Sequence, residues 1–118
     1  MAVLALAGDN WQKQDLVALF ERTPYWAEYS ASSFSAGLEI VQYKDVEVVV
    51  VDGRRINPRA FLEAALSRRP LLAAIVLNCP DVFQIGLKLK SIAGVKVWLS
   101  HDASVESFVR ALHAVGSV

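Results

Sequence analysis

Apolar runs and amphipathic stretches alternate along the chain. Val3 to Ala7 is an unbroken apolar run that stops at Gly8-Asp9-Asn10, a sequence suited to a turn. Leu16, Leu19 and Phe20 then recur at the spacing of one helix face, and Pro24 closes that helix. Tyr25 to Ser30 fits a second strand whose polar character predicts a sheet edge. Phe34 to Tyr43 fits a second helix, with Gly37 inside it. Val46 and Val48 to Val51 form the clearest strand, stopped by Asp52-Gly53; apolar side chains on both faces predict a central, doubly covered position.

The second half repeats the alternation. Asn57 and Pro58 supply an N-cap and a first helical residue, and Phe61, Leu62, Ala65 and Leu66 mark the buried face of a third helix that Pro70 closes. Leu71 to Leu77 predicts a fourth strand, ended by Asn78-Cys79-Pro80. Asp81 with Gln84 resembles a capping box for a fourth helix to about Ile92, and Gly94 ends it. Val95, Val97 and Leu99 predict a fifth strand. Ser104 caps a last helix with Val105, Phe108, Val109 and Leu112 on one face.

Five strand–helix units predict a three-layer αβα domain around a five-stranded parallel sheet. The polar second strand as an edge selects the flavodoxin-like order 2-1-3-4-5. In that arrangement a site forms at the carboxyl ends of the strands, which nominates Gly8-Asp9, Asp52, Asn78 and Ser100-His101.

The chain has 118 residues, 54% of them hydrophobic and 20% charged, which predicts one domain spanning 1–118 with an apolar core. Twelve basic and twelve acidic residues balance to zero net charge, which argues against direct nucleic-acid binding. Cys79 is the single cysteine, so no internal disulfide and no thiolate zinc site can form, and a reducing, cytoplasmic setting is expected. The apolar N-terminus reads as a strand and not as a signal peptide, and no run has the length of a membrane helix. Gly8-Asp9-Asn10-Trp11 lacks the glycine spacing of a dinucleotide or flavin cradle.

The stretch Val48-Val49-Val50-Val51-Asp52, together with Val97-Trp98-Leu99-Ser100-His101-Asp102 and the Ser104-capped last helix, resembles the receiver domain of two-component response regulators, the CheY-like family. The resemblance covers the whole chain. It places Asp52 at the phosphoacceptor position and Trp98 at the aromatic position of the fifth strand. It also implies departures. His101 stands where receivers carry a lysine, and Asp102 where they usually carry proline. Ala7 and Gly8 stand where they carry a metal-holding acidic pair, with Asp9 one step later. Asn78, followed by Cys79, stands where they carry Thr or Ser.

A phosphoryl group on an aspartate sets negative charge beside negative charge, and a divalent cation and a lysine normally offset it. Asp9, Asn78 and His101 therefore read as a degenerate site around Asp52. The implied function is a pseudo-receiver, not an enzyme and without a cofactor, that signals through contact with a protein partner or an output domain. The alternative is an active phosphoacceptor, phosphorylated on Asp52 by a histidine kinase with Mg²⁺ held by Asp9 and Asp52.

Plainer readings stand beside these. Asp52 fits a turn residue satisfied by local amides, by Arg54 or by Arg55. Asp9 fits a helix cap. His101 fits a solvent-facing loop residue, and Cys79 a small buried thiol. Asn78 is expected to hold a standing hydrogen bond to a carboxylate or a backbone group. In the predicted fourth helix Phe83, Ile85, Leu87, Leu89 and Ile92 cannot share one face. Phe83, Leu87, Leu89 and Trp98 are therefore the expected interface, for a homodimer or another protein. A chain that ends this soon after its last helix also fits a domain cut from a longer regulator.

Overall fold

The computed structural model describes residues 2–79 and 97–116. In chain order the elements are β1 (Val3–Leu6), α1 (Asn10–Glu21), β2 (Tyr29–Ala31), α2 (Phe34–Tyr43), β3 (Val48–Asp52), α3 (Pro58–Arg68), β4 (Ala73–Leu77), β5 (Val97–Leu99) and α4 (Val105–Gly116). The helix predicted over 81–92 lies outside the described residues. The sheet is parallel throughout, in the order β2-β1-β3-β4-β5. This is the expected three-layer, flavodoxin-like arrangement, with β2 at one edge.

Alternation along the strands divides the core in two. On one face Leu4, Leu6, Val49 and Val51 pack with Phe61, Leu62 and Ala65 of α3 and Val41 of α2. On the other face Val3, Ala5, Val48 and Val50 pack with Leu16 and Phe20 of α1 and Phe108, Ala111 and Leu112 of α4. Residues Val48 to Val51 are all buried, as their two-sided apolar character predicts.

Local capping chemistry sets the helix starts. Asp9, Ser33 and Asn57 each accept a hydrogen bond from a first-turn amide of α1, α2 and α3. Ser104 does the same for α4 through the Ser107 amide. Gly37 does not break α2. A Cβ there would lie 2.7 Å from Leu6 Cδ1, so the missing side chain lets α2 sit close on β1.

Three strand boundaries move. The second strand starts at Tyr29 and not at Tyr25, because the Tyr25 amide is turned onto the Thr23 hydroxyl and Trp26 lies exposed ahead of the strand. The third starts at Val48 rather than Val46. The fourth starts at Ala73 rather than Leu71, which is 94% exposed. Among the described residues no helix is long and apolar enough to cross a membrane.

Candidate functional site

Asp52 ends β3, in register with Leu77 at the end of β4, and so opens at the carboxyl edge of the sheet. It is the one buried charged residue among the described residues, at 2% exposure. A buried carboxylate needs partners. Gly53 turns the chain, with its amide bonded to the Leu77 carbonyl at 2.8 Å. Two residues after Asp52, Arg54 points back to the same side. Its Nε donates to both carboxylate oxygens, at 3.0 and 3.1 Å. Its Nη2 donates to Oδ2 at 2.6 Å, and its backbone amide to Oδ1 at 3.1 Å. Asp52 holds the guanidinium pKa above its ordinary value, chiefly through these hydrogen bonds, while desolvation works against the rise.

The next residue, Arg55, faces the other way. Its Nε lies 3.0 Å from Asp9 Oδ2, while Asp9 Oδ1 accepts the Gln12 amide at 2.7 Å. Asp9 is thus both helix cap and ion-pair partner. The position before it is closed: a Cβ built on Gly8 would lie 2.4 Å from Arg55 Cβ. A side chain there needs the β3–α3 loop to move. Asp15, on α1, stands 3.8 Å from Arg54 Nη2 and joins the cluster from the outside.

A cleft of about 270 Å³ opens beside Asp52 and Arg54. Asp15, Leu16, Leu19, Leu77, Asn78 and Ala103 complete its lining. Asn78 takes a left-handed backbone conformation, φ 52°, which Asn tolerates better than most residues. Its amide donates to the Asp102 carbonyl at 3.3 Å, and the Cys79 amide to the Ser100 carbonyl at 2.9 Å. These bonds tie the end of β4 to the loop after β5. The Asn78 side chain makes no hydrogen bond among the described residues, so the expected bond to a carboxylate is not formed: Arg54 already occupies Asp52. Cys79 is buried, at 2% exposure.

The loop after β5 is built for itself. Asp102 accepts from the Ser100 hydroxyl and the Ser104 amide, and the amide bond above all lowers its carboxyl pKa. His101 is exposed and does not line the cleft. The cation beside Asp52 therefore comes from β3–α3 and not from the position after β5. Trp98 is half-buried and packs on the core of Phe108 and Leu112. The remaining expected interface residues, Phe83, Leu87 and Leu89, lie outside the described residues.

The structure thus gathers Asp52 and Asn78 at one cleft and keeps Asp9 bound to its own arginine beside it. Asp15 and the division of labour between the two arginines were missed by the sequence reading. Residue parity carries part of that signal, since side chains two apart on an extended turn share a side and neighbours do not.

No protein-family model matches the chain, and no curated protein matches it significantly in sequence. Among solved structures it is similar to the signal receiver domain of an HD domain-containing protein from Pseudomonas fluorescens Pf-5. The two share 18% identity with a TM-score of 0.75, over 98% of this chain and 94% of that one. At that identity the likeness establishes the receiver fold.

Proposed function

We propose that this domain is an atypical receiver, a pseudo-receiver that signals by contact with a protein partner or an output domain and not by phosphoryl transfer. The observation that carries this reading is the closure of Gly8 by Arg55. In the receiver pattern the end of the first strand supplies carboxylates beside the acceptor; here the room for a side chain at position 8 is taken by Arg55 Cβ, and Arg54 lies on Asp52. The neighbouring carboxylate, Asp9, is committed to the Gln12 amide and Arg55. Among the described residues no group of three metal-ligating side chains is assembled. A solved structure with this fold is the receiver domain of an HD domain-containing protein, which supports an output domain as the natural partner.

Treatment with acetyl phosphate and Mg²⁺ is expected to leave the intact mass unchanged. A stoichiometric phosphoryl adduct on Asp52 would restore the active phosphoacceptor.

The contact surface we propose is the 81–92 segment with Trp98, in a homodimer or against another protein, because Phe83, Ile85, Leu87, Leu89 and Ile92 cannot share one face of the helix that the sequence predicts there. Leu89→Glu should lower the sedimentation-determined association of the domain while its circular dichroism stays unchanged. A wild-type domain that stays monomeric at high concentration would remove the homodimer.

A further inference from the structure

The residues around Asp52 do not fit a divalent cation. Such an ion takes carboxylate and carbonyl oxygens as ligands, and Mg²⁺ demands near-octahedral geometry. Here both oxygens of Asp52 are taken by Arg54, and both oxygens of Asp9 by Arg55 and the Gln12 amide. An arriving ion must displace two guanidinium groups and meets their fixed positive charge. Neither can leave by losing a proton, because arginine stays protonated throughout the working pH range.

We infer that Arg54 is a resident counterion: it binds Asp52 in place of a divalent cation and holds the β3–α3 loop in one conformation whether or not such an ion is present. The inference rests on the reading of Asp52 as a site that is not phosphorylated, and it adds the cause.

Three features make Arg54 suited to the part. It sits two residues from Asp52 across the turn at Gly53, so the pair closes with almost no loop to order. The contact is two-pronged, with Nε and Nη2 spanning the carboxylate, a geometry open to arginine and closed to lysine. The far edge of the guanidinium leans toward Asp15 on α1, 3.8 Å away, so the same side chain draws the loop toward that helix. Counting Asp9, Asp15 and Asp52 against Arg54 and Arg55, the cluster keeps only one uncompensated negative charge. Arg54→Ala frees both oxygens of Asp52 and takes the cation away from Asp15, so the negative charge at the cleft rises and a cation is drawn to it.

The test is amide NMR with Mn²⁺ as the probe and Mg²⁺ as the diamagnetic competitor. The wild-type amides of Asp9, Asp52 and Gly53 should keep their intensity as Mn²⁺ is added. In Arg54→Ala they should broaden selectively, and Mg²⁺ should reverse the loss. Arg54→Lys, which neutralises the charge but cannot span both oxygens, should broaden to an intermediate degree. Adding Asp52→Asn to Arg54→Ala should abolish the gain. If Arg54→Ala does not fold, Arg54→Lys decides the matter alone. Selective broadening in the wild type, or folded arginine variants that stay as unresponsive as the wild type, would overturn the inference. In the second case, with the wild type also inert to acetyl phosphate, the pseudo-receiver reading stands and only its cause is wrong.

Discussion

Arg54→Ala is expected to destabilise the domain by about 3 kcal/mol, while Asp52→Asn at the other end of the same ion pair costs about 1 kcal/mol or less. The asymmetry follows from burial. The Asp52 side chain is 3% exposed and the Arg54 side chain 43%. Removing the arginine strands a charge that water reaches poorly, with only the residue-54 amide, among the described residues, still donating to it. Removing the charge of Asp52 leaves a guanidinium that can turn to solvent and to Asp15. Urea unfolding of the two variants measures the difference directly. Equal costs would mean that Asp52 is well hydrated without its partner and that its burial does not govern the pair.

Phe108→Ala is expected to cost about 4 kcal/mol, the largest single loss anticipated in this domain. Phe108 is fully buried at the centre of the face that carries α1 and α4. Its ring meets Phe20 edge-to-face, with centroids 4.8 Å apart and planes at 90°. The substitution removes the ring volume and this contact together, and α1 and α4 are both anchored through it. Domains of this size are stable by roughly 5–15 kcal/mol, so the variant should unfold well below the wild-type denaturant midpoint. Trp11→Ala is the matched control. Trp11 is 79% exposed, and its loss should change stability by less than about 0.5 kcal/mol. A Phe108→Ala variant as stable as that control would contradict the two-sided core.

The fold could be read in advance where local chemistry decides local structure. Asn57-Pro58 and Ser104 start helices as their capping chemistry predicts, and Val48–Val51 is central because it is apolar on both faces. The second strand was harder. Nothing in Tyr25-Trp26-Ala27-Glu28 shows that Thr23 turns the chain there, so the strand begins later than its composition suggests. At the site, Asp9 as a cap and Arg54 or Arg55 as partners of Asp52 were both foreseeable from near neighbours. The pairing of Asp9 with Arg55 was not, because 46 positions separate them and only the β1–β3 pairing brings them together. Asp15 was invisible for the same reason: its place beside Arg54 depends on how α1 lies against the sheet. His101 shows the reverse case. Its match to the lysine position placed it at the site, but it is exposed and does not line the cleft, where the charge beside Asp52 comes from Arg54.

The contact between Gly8 and Arg55 bears on the mutational routes open to this chain. Any side chain at position 8 meets Arg55 Cβ at 2.4 Å, a backbone-anchored atom that rotamer change cannot move. Arg55→Ala does not clear it, because alanine keeps that carbon. A variant with a carboxylate at position 8 and Asp52 freed beside it would need position 55 changed to glycine or the loop rebuilt, and Arg54 lifted from Asp52 as well. Taken singly, the first change produces a clash and the last exposes an unpaired buried charge. A carboxylate at position 8 and a free Asp52 therefore cannot be reached one substitution at a time without passing through a clash or a stranded charge.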